Sequence, residues 1–234
     1  MSDKKEIPTI RSRDSQGEPK TRVEVAYRRM RQEIVTGAIK PGTKLRAEDI
    51  RVNYDIGAST MREVLSKLAA DTLVTTIGQR GFYVSPISHE DFMAVADLRK
   101  LLEIKGLLAS ISLGGKDWEE NVRLAYGRLA ELENRYDTIP DDKSDVWERR
   151  NRDFHRALVS ACENPWLLHF RSILLDHSSR YIRLSLAKHP MPRDFQDEHR
   201  AIYRAAMARD ADVASKLLEA HIDATVMAIE KIAD

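Results

Sequence analysis

In the run NRDFHRAL (151–158) an amide, Asn151, precedes an imidazole, His155, by four residues. On a helix that spacing stacks two side chains on one face, so both can point at one spot. An amide oxygen and an imidazole nitrogen can both bind a divalent ion, and the same pair also fits one face of an ordinary core helix. Arginines form a second set. Arg62 stands in ASTMREVLSKLAA beside Met61, Val64, Leu65 and Leu68, whose helical spacing turns it away from the core. Arg80 sits between two glycines in GQRG. Guanidinium groups held outside a core suit phosphates and base edges.

Those arginines need a frame, and the surrounding pattern supplies one. Residues 1–20 lack periodicity and carry Pro8, Gly17 and Pro19; they read as a flexible arm. From Val23, apolar residues recur at helical spacing through Ala26, Tyr27, Met30 and Ile34, and Gly37 ends the run. KPGT is a turn, Lys44–Leu45 a short extended piece, and Ala47–Val52 a brief helix. The next helix carries Arg62, with Ser59 or Thr60 as its expected cap, since Glu63 follows Thr60 by three residues. Val74–Ile77 and Phe82–Val84 are strand-formers around GQRG, a β-hairpin. Helix, short helix, helix, hairpin is the order of a winged helix-turn-helix, whose third helix enters the major groove of DNA. Charge agrees: residues 1–86 hold 16 Lys and Arg against 11 Asp and Glu, while residues 87–234 hold 22 against 26. A basic first third on an acidic remainder is the footprint of one part that meets a polyanion.

Beyond Pro86 every stretch is helical. The first spans about 89–113, with Phe92, Val95, Leu98, Leu102 and Leu107 or Leu108 as expected core positions. Others follow at about 117–136, 144–162, 167–186, 194–209 and 211–232, separated by proline or new caps. The fold class is therefore mainly α: an arm (1–20), a winged helix-turn-helix with its small hairpin (21–86), and an all-α bundle (87–234). The 234 residues contain one cysteine, Cys162, which excludes an internal disulfide framework and a cysteine-rich zinc module. No apolar run approaches the ~18 residues of a membrane span, and the polar start has no signal core. The expected address is cytoplasmic, with no membrane partner.

Taken together, IVTGAIKPGTKL (34–45), YDIGASTMREVLSKLAADTLV (54–74) and GQRGFYV (78–84) resemble the DNA-binding region of the GntR transcription regulators. DLRKLLE (97–103), NRDFHRALVSACENP (151–165), DEHRAIYRAAMARDADVA (197–214) and EAHI (219–222) resemble the all-helical FCD ligand domain of that family's FadR-type branch. The resemblance implies a homodimeric, ligand-responsive regulator, usually a repressor of a catabolic operon, bound to double-stranded operator DNA with two-fold-related half-sites. It places base reading on Arg62, recognition-helix contacts on Ser59 and Thr60, and wing contacts on Gln79, Arg80 and Gly81. Arg46, near the short helix, is placed to touch phosphate and is expected as a further DNA contact. Many members carry an arginine where this chain has Ala58, which would shift the operator sequence rather than abolish binding.

The FCD branch often holds a divalent metal with a carboxylate and three histidines. The matching positions here are Asn151, His155, His199 and His221, with asparagine in the carboxylate's place. Neutral ligands leave the ion's charge to be balanced by something else, and a small carboxylate effector can do that. Imidazoles suit zinc foremost, with nickel, copper or iron as the other candidates. Arg99 is expected to hold the effector's carboxylate through forked hydrogen bonds, with Arg180 and Tyr181 on a helix facing the same cavity. Effector binding would then tilt the helix at 89–113 and reset the spacing of the recognition helices. The rival reading is a metal-dependent hydrolase or oxygenase using the same histidines. It lacks HExxH, a P-loop and a GxSxG elbow, and it leaves the basic first domain unexplained.

Overall fold

The computed structural model describes residues 21–136, 143–186 and 195–233. The expected arm at 1–20 and the proline-marked breaks TIPDD and KHPMP fall wholly or largely outside them. Helix α1 (Arg22–Val35) starts where Thr21 Oγ accepts the Glu24 N–H at 3.1 Å, an N-cap that satisfies one orphan amide. A short strand, β1 (Lys44–Leu45), leads to α2 (Ala47–Tyr54) and α3 (Ala58–Ala70). Strands β2 (Val74–Thr76) and β3 (Phe82–Val84) flank a single 3-10 turn, Gly78–Arg80. The antiparallel sheet has the order β1-β3-β2, with Lys44 opposite Tyr83 and Thr76 opposite Phe82. The hairpin is thus a wing stapled to the chain before α2.

The helix that carries Arg62 begins earlier than its capping pattern suggests. Gly57 is the N-cap, in extended conformation and with no side-chain bond, and Met61 N–H reaches Gly57 O at 3.0 Å. Ser59 and Thr60 therefore lie inside the first turn instead of capping it. Glycine tolerates this entry with only a small loss relative to serine, and the two hydroxyls remain available to a ligand. Gly81 closes the wing turn at φ +99° and ψ −160°, a region open essentially to glycine alone.

Among the described residues six further helices follow: α4 (His89–Leu113), α5 (Lys116–Glu133), α6 (Ser144–Leu158), α7 (Pro165–Leu186), α8 (Phe195–Met207) and α9 (Ala211–Ala233). Helix α4 occupies the expected span, but its buried face differs from the apolar guess. Phe92, Val95 and Leu107 are buried, whereas Leu98 is 54% exposed, and Arg99 and Glu103 take interior positions. The buried positions 92, 96, 99, 103 and 107 still follow helical spacing; the stripe simply contains two charges. Among the described residues, no helix is long and apolar enough to cross a membrane.

The described chain forms two compact units. One comprises residues 100–172 and 195–219; the other comprises the described parts of 17–99, 173–194 and 220–234. In the first, α5 packs against α6 and α8. Arg209 donates to the carbonyls of Ile111 and Gly114 at 2.6 Å each, tying the α4–α5 corner. Gly114 is required there, because a Cβ would lie 2.6 Å from both Ser110 O and the Trp118 ring. In the second, an apolar cluster of Ala26, Met30, Ile34, Val64, Leu65 and Leu68 with their neighbours holds the winged head.

The second half of α7 belongs to the same unit as the head. Arg31 forks onto Asp176, Nε to Oδ2 at 2.6 Å and Nη2 to Oδ1 at 2.7 Å. His177 Nε2 lies 2.8 Å from Thr72 Oγ and 3.1 Å from Asp71 O. Thr72, two residues beyond the end of α3, has φ +57°, a rare conformation for a β-branched residue, and His177 is one of the groups that hold it there.

Candidate nucleic-acid interface and metal centre

On the head, the first turns of α3 present Ser59 and Arg62 exposed and Thr60 half-buried, while Met61, Val64 and Leu65 face the core. Arg46 is exposed at the start of α2, and Arg80 is exposed on the wing turn. Among the described residues, the side chains of Arg46, Arg62 and Arg80 make no ion pair or hydrogen bond. Two other arginines of the head are engaged: Arg28 pairs with Glu24 at 2.6 Å and Arg29 with Glu33 at 2.9 Å. Arg22 and Arg51 are likewise exposed without a side-chain partner, so three of the head's five uncommitted guanidinium groups among the described residues are those expected to meet DNA. Gln79 lies in the wing turn between Gly78 and Arg80.

The histidines converge. His155 on α6, His199 on α8 and His221 on α9 are all buried, and one ligand atom from each lies within 4.8 Å of the others. The His155 and His199 rings are 5.8 Å apart, nearly perpendicular, and each meets the buried Phe154 edge-on. Two carboxylates back them. Glu133 Oε1 lies 2.9 Å from His199 Nδ1 and also accepts the Trp147 indole N–H at 2.9 Å. A carboxylate on Nδ1 sets the tautomer that leaves the lone pair on Nε2, an arrangement common behind metal-binding histidines. Glu103 Oε2 is 3.7 Å from His155 Nδ1 and accepts from Arg171, which also donates to His155 O at 2.9 Å.

Asn151 lies one turn before His155 on α6, and its Oδ1 is buried without a hydrogen-bond partner. The donor set fits a divalent ion: three close imidazoles and an amide oxygen that nothing else satisfies. Such an ion would supply positive charge and a Lewis-acidic point for a small anion, with these four residues as its holders. Glu133, Glu103 and Arg171 were not legible as site residues, because a lone charged residue on a helix reads as a solvated face.

The residues expected at an effector have partners of their own. Arg99 is 4% exposed, and its Nη1 donates to Ser178 Oγ at 2.9 Å. Arg180 donates to Ser85 O, and burial pulls its guanidinium below the usual arginine range. Tyr181 donates to Asp91, accepts from Ser88 N–H at 3.3 Å and packs on Phe92. Burial and the Asp91 carboxylate together raise its phenol. Arg180 and Tyr181 thus hold the connection from the wing into α4. Of the histidines outside the trio, His177 is a buried structural partner of the head.

Residues 22–84 match the model of the bacterial regulatory proteins of the gntR family, and residues 94–224 match the FCD domain. The chain belongs to the GntR family, in its FCD-bearing, FadR-type branch. The HTH-type transcriptional regulator BphR of Paraburkholderia xenovorans (strain LB400) is 38% identical over 209 residues, 89% of this chain and 85% of the relative. The HTH-type transcriptional repressor GlaR of Escherichia coli (strain K12) is 32% identical over 200 residues, 84% and 90% of the two chains. Among solved structures, McbR/YncC of E. coli superposes with a TM-score of 0.77 at 13% identity, covering 92% of this chain and 99% of that one. A transcriptional regulator GntR from Rhodococcus sp. RHA1 gives 0.70 at 21%, covering 91% and 97%. At those identities the structural likeness speaks to fold alone.

This GntR regulator is a DNA-binding transcription factor and not an enzyme. The gntR match contains Arg46, Ser59, Thr60, Arg62, Gln79, Arg80 and Gly81, and the FCD match contains the histidine cluster.

Proposed function

We propose that this GntR regulator is a cytoplasmic, homodimeric repressor of a catabolic operon, and that it senses a small organic acid at a metal held by Asn151, His155, His199 and His221. The head (21–86) reads two-fold-related half-sites: Arg62 takes a base edge, Ser59, Thr60, Gln79, Arg80 and Gly81 line the groove and backbone, and Arg46 meets phosphate. Zinc is the first choice of ion. The helical domain (87–234) dimerises and binds the effector, whose carboxylate balances the ion's charge and meets Arg99; Arg180 and Tyr181 couple that site to the wing–α4 connection. The repressor role draws on the related GlaR, which carries that function in its name.

The observation that carries this reading is the burial of three imidazoles within 4.8 Å of one another, two of them backed by carboxylates. A helical core kept only for stability has no use for such a cluster, since buried polar groups stabilise less than apolar ones of equal size. Metal analysis of the purified full-length chain tests it: about one ion per chain is expected, and His155→Ala should lose it. Gel shift on the DNA upstream of the chain's own gene tests the head. A discrete, salt-sensitive complex is expected, and Arg62→Ala should lose about 1–3 kcal/mol of discrimination at one base position. A wild-type chain that neither carries nor takes up a metal overturns the metal reading and leaves DNA binding standing.

A further inference from the structure

One face of α6 carries Glu148, Asn151 and His155 at i, i+3 and i+7, so their side chains lie in a row. Glu148 is 3% exposed, and its Oε2 is buried with no hydrogen-bond partner. The same is true of Asn151 Oδ1 and of Glu133 Oε2, the oxygen turned away from His199. Three unmet acceptors thus lie on α6, which holds His155, and at the end of α5, whose Glu133 meets His199. A buried carboxylate oxygen without a donor is strongly unfavourable, and native proteins keep few of them. An excess of buried acceptors calls for positive charge. Glu148 lies outside the histidine cluster itself, and seven residues of helix separate it from His155 by about 10.5 Å along the axis. It is therefore no direct partner of all three imidazoles.

We infer that Glu148 is the charge-compensating carboxylate of this metal centre: it acts on the ion from outside the ligand set and replaces the negative charge that the position of Asn151 lacks. The inference rests on the metal reading above. It explains why an acidic residue is kept in the interior of α6, one turn from an amide. It also makes two measurements move in opposite directions. Without metal, Glu148 keeps a buried oxygen that no donor meets, so its neutral isostere should not destabilise the protein. With metal, Glu148 supplies attraction, so the isostere should bind the ion less well.

The test uses the full-length protein stripped with a chelator, then titrated with Zn²⁺ against a chromophoric competitor at fixed pH. Glu148→Gln should weaken Zn²⁺ binding by about tenfold, through loss of its long-range attraction for the ion. Its metal-free melting temperature should equal or exceed that of the wild type. Adding Asn151→Asp to Glu148→Gln should restore the affinity, because the carboxylate then returns as a direct ligand. Glu148→Met, which suits an apolar setting, makes the same measurement if glutamine is not tolerated. Unchanged Zn²⁺ affinity in both neutral variants overturns the assignment, as does a metal-free protein that melts well below wild type, the mark of a purely structural carboxylate. A wild-type protein that binds no Zn²⁺ overturns the metal reading itself, and with it this assignment.

Discussion

The core cluster of the winged head runs from Ala26 to Val84, with Asp71 the one buried charge among the head's described residues, and the cations expected to meet DNA, Arg46, Arg62 and Arg80, all lie on the surface. The unit formed by residues 100–172 and 195–219 buries Glu103, Glu133, Glu148, His155, Arg171 and His199. A groove reader meets a partner larger than itself, so its chemistry must stand outside, and its interior has only to hold the reading helix still. A sensor of a small ion or acid must enclose its target. Its chemistry then sits inside, where a lower dielectric strengthens each charge interaction and penalises each unmatched one. The same residue types carry opposite meanings in the two regions. On the head the candidate arginines are exposed, whereas among the helices the candidate carboxylates and imidazoles are buried.

The largest effect is expected where that contrast breaks down. Arg31 is a head residue whose polar end is committed inside its unit, forked onto the fully buried Asp176 of α7. Arg31→Ala should destabilise the protein by about 3–5 kcal/mol, since it strips the fork from a buried carboxylate. Urea unfolding measures it. Arg31→Lys should recover only part of the loss, because an ammonium cannot make both bonds in one plane. A loss below about 1 kcal/mol for the alanine variant, the worth of an exposed pair, would place Arg31 with the surface cations.

Next is the apolar core itself. Leu65→Ala, at a fully buried position of α3, should cost about 2–5 kcal/mol. DNA binding should weaken as the head loosens, while the Zn²⁺ stoichiometry stays unchanged. A parallel fall in metal content would show that the two regions are not separable in the way their cores suggest.

The legibility of the two regions differs for the same reason. Apolar periodicity and turn residues located α1, the wing strands and the span of α4, because in those segments burial and hydropathy coincide. They failed on α4's interior face, where Leu98 is exposed and Arg99 and Glu103 are buried. They also misplaced the start of α3, since glycine entered the helix two residues before the first hydroxyl. Arg62 was legible from spacing alone. The pairing of Asn151 with His155 was legible as one helix face, but His199 and His221 joined it only through family resemblance, because no local pattern links residues on different helices. Glu133 and Glu148 were not legible at all. A carboxylate's burial depends on its neighbours in space, and a single sequence does not display them.

Glu133 sharpens the contrast at intermediate size. It bonds both His199 and Trp147, so Glu133→Gln keeps its shape but can present an amide N–H where His199 needs an acceptor. Zn²⁺ affinity should fall about tenfold to a hundredfold, with operator affinity of the metal-free protein unchanged. An equal loss of DNA binding in the metal-free state would mean that Glu133 holds structure rather than ligand.

The smallest effect belongs to the head's outer face. Arg28 and Glu24 form an i,i+4 pair on α1 at 2.6 Å, with both side chains 36% exposed. A pair of this kind contributes about 0.3–0.5 kcal/mol, because solvent and salt screen it and two long side chains must be ordered to make it. Arg28→Ala should therefore change the unfolding free energy by no more than about 0.5 kcal/mol, and the difference should shrink further at 1 M salt, where the screening length is about 3 Å. Operator binding separates two roles for this cation. If Arg28 only decorates α1, the salt slope of DNA binding stays that of the wild type. If it also neutralises a phosphate, the slope falls by about one unit, and Arg28 joins Arg46, Arg62 and Arg80 in the head's reading surface.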